Sequence, residues 1–328
     1  MEVGKVPENI LKRSVFKQIR HRRQEVVLCP GVGEDCSGVQ LGQDEVLVLS
    51  VDPITAADRG MGRFAVHVTA NDLAASGAEP VGVLLSILLP PGKREKYLRE
   101  LMGDIESACR DLNIEIMGGH TEVTTAVNQP VVTVTGAGRV KREELIATGG
   151  LKPGDELVMT KWAGMEGTAI IAAEREEKLL ETLPGELIEQ AAAMLQYISV
   201  VPEAAVAKNA GASAMHDVTE GGIFGALWEM GAAAGVGITA DLAKIPIRQE
   251  TIEVCEVFGL NPYQMMSSGS LLIGCGNGNR MVEELQRAGI CAAVIGRATD
   301  SNDRVVVNGE ETRFLEPPGS DELYKIFA

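Results

Sequence analysis

The chain has 328 residues, with 46 acidic against 30 basic side chains for a formal charge of -16, a 45% hydrophobic fraction containing only 4% aromatics, and 37 glycines. That charge repels phosphate backbones and anionic lipid and argues against a general nucleic-acid or membrane-surface binder. The length exceeds that over which one hydrophobic core usually keeps growing, so two compact domains are expected, and the glycine and small aliphatic residues fit an α/β protein with close helix-to-sheet packing.

The N-terminal stretch MEVGKVPENILKRSVFKQIRHRR lacks the uninterrupted apolar core of a signal peptide, and no run approaches the roughly eighteen apolar residues that a membrane span needs. The expected location is cytoplasmic. Its basic residues Lys12, Arg13, Lys17, Arg20, Arg22 and Arg23 read as a solvated helix face. Next comes Gly31-Val32-Gly33-Glu34-Asp35-Cys36-Ser37, a glycine-punctuated turn that presents an acid ahead of a strand. Backbone amides of such a turn approach phosphate closely, although Gly with Asp is also ordinary turn chemistry.

Residues 45–51 (EVLVLSV) are β-branched and apolar, as in a strand. Asp52 follows directly and precedes Pro53. An acid at a strand end stands where α/β sheets place ligands, and a capping or turn role fits it equally. A helix is expected over residues 62–76, stopped by Gly77. Within it Asn71 and Asp72 interrupt an Ala-rich run, and an Asp there is costly to bury unpaired, so it calls for a partner such as a cation or a structural hydrogen bond. Residues 81–89 (VGVLLSILL) read as a strand, and Pro90-Pro91-Gly92 introduce a helix over 93–112 whose apolar stripe includes Leu98, Leu101, Ile105 and Cys109.

After a strand at 114–117, Gly118-Gly119-His120-Thr121-Glu122 is expected as a strand-end loop near a ligand. An isolated histidine in such a place is more often a satisfied surface or core residue than a catalyst. Residues 131–135 (VVTVT) form a further strand, and the charged, Gly- and Pro-punctuated stretch 139–156 puts a domain boundary near residue 150, giving domains 1–150 and 151–328.

The second half alternates expected helices at 185–197, 203–210, 220–234 and 279–288 with strands at 270–275, 291–296 and 305–307. The run Met215-His216-Asp217-Val218-Thr219-Glu220-Gly221-Gly222 opens a helix, with Asp217 or Thr219 to cap it and free amides at Gly221 and Gly222 as an anion site. Beyond Pro317-Pro318 the tail is polar, with Leu323, Tyr324, Ile326 and Phe327 as a patch to dock on the body. The six cysteines are scattered without metal-ligand spacing and read as reduced buried thiols.

As a set and in this order, the five chemistry-bearing segments resemble the superfamily of aminoimidazole ribonucleotide synthetase, thiamine-monophosphate kinase, selenophosphate synthetase and the hydrogenase-maturation carbamoyl dehydratase. The resemblance implies an α/β (α+β) protein of two domains. The N-terminal one carries a mixed sheet that pairs with that of a second subunit in a homodimer, and the C-terminal one is a layered α-β-α domain. It further implies a Mg-ATP-dependent enzyme that phosphorylates an oxygen, commonly of an amide or carbonyl group, on a small-molecule acceptor. Carried over by position, Asp35, Asp52 and Asp72 are the implied magnesium ligands, and Asp72 with His120 the implied catalytic groups. Gly31, Gly33, Asn71, Gly118, Gly119, Thr121, Asp217, Gly221 and Gly222 are the implied nucleotide-binding positions. Magnesium prefers oxygen donors and shares them with phosphates, so acids from separate elements suit it.

The Thr-Glu-Gly-Gly helix start and residues 267–272 (SSGSLL) look closest to the hydrogenase-maturation dehydratase. That enzyme carries its substrate on a C-terminal cysteine, whereas this sequence ends Tyr324-Lys325-Ile326-Phe327-Ala328 and has His120 where the dehydratase has an acid. Gly-Gly-His is more like selenophosphate synthetase, without that enzyme's N-terminal segment bearing Cys and Lys, and residues 85–90 (LSILLP) are similar to thiamine-monophosphate kinase. The expected acceptor is therefore diffusible or presented by a partner protein. The alternatives are a thiamine-monophosphate kinase-like phosphotransferase and a catalytically silent nucleotide-binding regulatory or scaffold protein, against which the presence of all three acids argues.

Overall fold

The computed structural model describes residues 8–10, 12, 24, 26–28, 31–34, 36–55 and 60–327. Asp35, Cys29, Arg13, Lys17, Arg20, Arg22, Arg23 and Ala328 lie outside the described residues. The chain divides into two compact units, one of residues 23–29 and 35–145, the other of residues 1–22, 30–34 and 146–328. The division falls at Leu145/Ile146 rather than at residue 150, and the glycine turn 31–34 groups with the second unit. The reason is local: the Glu34 carboxylate accepts the Gly149 amide at 3.0 Å, and Gly33 lies so near the Glu229 backbone that a Cβ would come within 3.0 Å of its carbonyl oxygen. The helical turn α1 (Glu8–Ile10) belongs to the same unit, and there Glu8 accepts the indole N–H of Trp228 at 3.0 Å.

The first unit is built on a mixed sheet in the order β1-β2-β3-β6-β4-β5. Its strands are β1 (Val26–Leu28), β2 (Ser37–Gln40), β3 (Glu45–Ile54), β4 (Glu79–Leu89), β5 (Glu115–Val123) and β6 (Val131–Lys141). Only β4 and β5 run parallel, as a helical crossover requires. That crossover is α3 (Glu95–Asp111), and with α2 (Met61–Ala75) it covers one face of the sheet through a core that includes Val66, Leu85, Ile87, Ile105 and Val134. On the other face Val51, Thr135 and Leu84 lie side by side in register, with Val51 58% and Leu84 45% exposed.

Two expectations shift here. Asp52 lies inside β3 rather than after it, paired with Val134. The expected Gly-Gly-His loop is also strand, with Gly118, Gly119, His120 and Thr121 paired to residues 84–87 of β4. Gly118 and Gly119 have φ of 150° and 149°, and a Cβ on Gly119 would sit 2.1 Å from the Leu85 carbonyl oxygen. Gly119 therefore serves a close strand-to-strand approach, while Gly118 has room for a Cβ and is set apart by its φ alone.

The second unit is a layered α-β-α arrangement around the sheet β13-β12-β9-β11-β7-β10-β8. Its strands are β7 (Glu156–Thr160), β8 (Ala212–Val218), β9 (Gly237–Asp241), β10 (Ser270–Cys275), β11 (Ala292–Thr299), β12 (Arg304–Asn308) and β13 (Glu311–Phe314). The helices are α4 (Met165–Glu174), α5 (Glu176–Leu179), α6 (Gly185–Ala192), α7 (Val201–Ala210), α8 (Gly222–Ala234), α9 (Gln249–Phe258), α10 (Gly278–Arg287) and the terminal turn α11 (Tyr324–Phe327). Every residue of β10 is buried, as befits a strand covered on both faces. Residues 215–218, expected to lead into a helix, are the end of β8. No helix among the described residues is long and apolar enough to cross a membrane.

One buried cation ties this unit together. Lys161, just past β7 in the left-handed region at φ 53°, donates from Nζ to the carbonyls of Tyr197 (2.9 Å), Ser199 (2.5 Å) and Gly269 (2.7 Å). Its ammonium also lies 2.6 Å from the carboxylate of buried Glu203. Burial holds the Lys161 pKa below the usual lysine range even with that carboxylate opposing the shift.

Candidate functional site

In the first unit the pleat of β3 sends Ser50 and Asp52 to the side packed by α2, where Thr69 and Asp72, three residues apart, share one helix face. The hydroxyl of Ser50 donates to Asp72 Oδ2 and lies 3.3 Å from Asp52 Oδ2, while Thr69 Oγ1 donates to Asp52 Oδ2 at 3.2 Å. A single hydroxyl thus stitches two carboxylates together. Asp72 is 5% exposed and the adjoining Asn71 fully buried.

Both acids expected on separate elements therefore converge, in a donor set made only of oxygen. Among the described residues no group of three or more His, Cys, Asp and Glu side chains could hold a metal ion alone. Two carboxylates with the remaining positions left to water and phosphate is how magnesium is usually held, so the residues present fit that ion.

His120 is placed elsewhere. Asp52 shares a row with Val134, Leu85 and Gly119 across β3, β6, β4 and β5, which sets β5 three strand spacings, about 14 Å, from Asp52. The side chain of His120 is 68% exposed on the edge strand and bonded to Glu122 at 3.1 Å. Thr121 is exposed beside it.

The second unit brings together a different group. His216 and Asp217 end β8, each 2% exposed, and His216 Nε2 lies 3.1 Å from Glu229 Oε2 on α8. Gly221 caps α8 in the left-handed region at φ 88°, with no side-chain cap from Asp217 or Thr219. The amides expected to be free are engaged. Gly221 N–H is donated to Asp321 Oδ2 at 2.7 Å and Gly222 N–H to the Thr219 carbonyl at 3.1 Å.

Asp321 is 1% exposed, and burial lifts its carboxyl to about 6 despite amides donated by Leu323, Gly221 and Met266. Nearby Glu166 on α4 accepts the Ser268 amide at 3.0 Å. Burial pushes Glu166 up to about 7, with Asp321 and Glu220 adding like-charge repulsion.

Carboxyls raised in this way stabilise the fold in their protonated form. Their contribution is complete below the ordinary carboxyl range and is lost as pH rises through about 6 and about 7. The melting temperature of Glu166→Gln is accordingly expected to fall less than that of the parent between about pH 5 and about pH 8. Parallel curves in differential scanning calorimetry would rule out this role for Glu166.

Sequence reasoning missed Glu166, Glu229 and Asp321. The first two carried a readable signal, since Glu166 is the one acid inside the apolar helix MEGTAIIAAE, which Glu174 ends, and Glu229 is the lone acid of GIFGALWEMGAAA, as Asp72 is in its own helix. Asp321 had none, because Gly-Ser-Asp-Glu reads as solvent-exposed tail.

Comparison with known proteins agrees with this architecture. Residues 33–140 match the family described as AIR synthase related protein, N-terminal domain, and residues 152–308 match AIR synthase related protein, C-terminal domain. A putative hydrogenase expression/formation protein of Methanocaldococcus jannaschii is 28% identical over 98% of this chain and 97% of its own length. The carbamoyl dehydratase HypE of Rhodobacter capsulatus is 27% identical over 78% of this chain and 72% of its own. A crystal structure of the hydrogenase maturation protein HypE in complex with ATP superposes with a TM-score of 0.69 at 17% identity, covering 96% of this chain and 95% of that one. With both domain families matched in order over most of its length, this chain belongs to the AIR synthase related proteins.

Proposed function

We propose that the protein is a Mg-ATP-dependent enzyme that transfers the terminal phosphoryl group to an amide or carbonyl oxygen of a diffusible acceptor, or of one presented by a partner protein. The observation that carries this reading is the meeting of Asp52 and Asp72 over the Ser50 hydroxyl. Two carboxylates held by rigid elements give a divalent cation the oxygen anchorage from which it neutralises developing charge on a phosphoryl group. Asp35 is proposed to complete the set, with Asn71, Gly118, Gly119 and Thr121 as nucleotide-contacting positions of the first unit and Gly31, Gly33, Asp217, Gly221 and Gly222 as those of the second, each unit taken by itself. His120 is proposed to act on the acceptor side, at its distance from Asp52. Support comes from relatives named as carbamoyl dehydratases and from a neighbour of the same fold solved with ATP.

Titration calorimetry with ATP tests the reading: binding is expected with magnesium and at least tenfold weaker in chelator. Equal affinity in both would sink the metal-clamp assignment. An ATP-hydrolysis assay run with amides, phosphate esters and carbamoylated protein then identifies the acceptor class.

We further propose a homodimer formed through the outer face of the first unit's sheet, because Val51 of β3 and Leu84 of β4 expose apolar surface on either side of Thr135. Leu84→Lys is expected to convert a dimer of the parent to monomer in light scattering at micromolar protein. A variant that keeps the parent's mass would remove this face from consideration.

A further inference from the structure

We propose that residues 318–326 form a displaceable strap whose Asp321 carboxylate occupies the anion position at the start of α8, so that a nucleotide phosphate takes that position only when the strap lifts. The inference rests on the reading of Gly221 as a nucleotide-facing amide and deepens it into a regulation of the same site.

The contact has the chemistry of anion binding. One carboxylate accepts amides from Gly221 at 2.7 Å and Leu323 at 2.9 Å, and a third from Met266. A helix start that offers converging N–H groups binds phosphate for the same reason. The Gly221 amide has one proton to give, so the carboxylate and an incoming phosphate exclude each other there. Pro318 packs over the same turn, lying 3.4 Å from where a Cβ of Gly221 would stand and 3.6 Å from that of Gly225.

The strap is built to release as a piece. Residues 316, 317, 319 and 320 are exposed, and a short anchor follows in which Asp321, Glu322 and Leu323 are buried. Glu322 accepts the Asn261 amide at 3.0 Å, and the Ile326 carbonyl accepts from Arg175 at 3.2 Å. The charged groups that face Asp321 are Glu166 from α4 and Glu220 ahead of α8, and both are acids. Tyr324 of the strap hydrogen-bonds Glu220. A phosphate that arrives with a divalent cation brings its own counter-charge into this acidic corner, which the Asp321 carboxylate does not.

Hydrogen exchange read by mass spectrometry on the full chain tests this, with magnesium and a non-hydrolysable ATP analogue as the probe. Saturating analogue is expected to speed exchange of the amides of residues 323–326 at least tenfold, and Asp321→Asn is expected to bind the analogue about tenfold tighter than the parent. Analogue that binds while those amides keep or gain protection, with Asp321→Asn binding no tighter, overturns the strap and leaves the nucleotide reading standing. Failure of the analogue to bind both parent and Asp321→Asn overturns the nucleotide reading and the strap with it.

Discussion

Asp72→Asn is expected to weaken Mg-ATP binding about 100-fold, a loss of about 2.7 kcal/mol, while leaving the melting temperature within a few degrees of the parent. The substitution preserves shape and keeps an oxygen to accept the Ser50 hydroxyl, so what it removes is charge. With Asp72 only 5% exposed, that charge acts through a medium less polarisable than water, where a carboxylate–cation attraction is several times stronger than at the surface. Asp52 is half-buried, and Asp52→Asn is expected to cost less, about tenfold. Calorimetry on both variants in the same magnesium buffer gives the ranking. If Asp72→Asn binds Mg-ATP like the parent, the buried acid is a structural partner of Ser50 and the metal assignment fails.

The largest expected loss of stability comes from Lys161→Ala. The ammonium satisfies three carbonyl groups and the Glu203 carboxylate, and Glu203 is only 2% exposed. Removing one member of a buried ion pair costs about 3–5 kcal/mol, because the other charge is left uncompensated in the interior. At about 2–4 °C per kcal/mol for a unit of this size, the melting temperature of the second unit is expected to drop by roughly 6–20 °C. Adding Glu203→Gln removes the stranded charge and is expected to restore part of the loss, a coupling that a double-mutant cycle reads directly. A drop of less than about 2 °C for the single variant would show that water reaches the site and replaces the cation. Gly269, one of the three carbonyls held, adjoins Ser268, whose amide bonds Glu166, so the same variant is expected to disturb the acidic corner at the start of α8.

The parts of the fold that could be read from sequence were those with a strong period. The stripe of α3 and the β-branched runs of β3, β4 and β6 announced themselves, because burying one face imposes the spacing of the apolar residues. The core strand β7 (ELVMT) is five residues long and β8 (ASAMHDV) mixes polar groups into a buried run, and neither length nor alternation distinguishes such segments from loop. The double glycine of β5 misled for a physical reason, since Gly-Gly usually marks a turn and here lies within a strand, where Gly119 permits close strand approach.

For the site, Asp72 was legible as a costly acid among alanines, and the structure supplies its partner in Ser50. The engaged state of the Gly221 amide was not legible. Its partner lies 100 residues away in a segment whose composition reads as solvent-exposed, and local sequence carries no record of so distant a pairing.

The grouping of the chain's first residues with its last half bears on the order in which the protein assembles as it is made. Glu8 must wait for Trp228, 220 residues later, and Glu34 for Gly149, 115 residues later. At about 5–20 residues per second of synthesis, the first of these delays is roughly 10–45 s. Once residue 145 is made, 83 residues before Trp228, residues 23–29 and 35–145 have every strand and helix of their sheet available and can fold ahead of the segments that flank them. The turn Glu8–Ile10 therefore spends this interval without Trp228, a window in which nascent-chain chaperones have access to it and in which slowing translation after residue 145 would lengthen its exposure without delaying the first unit.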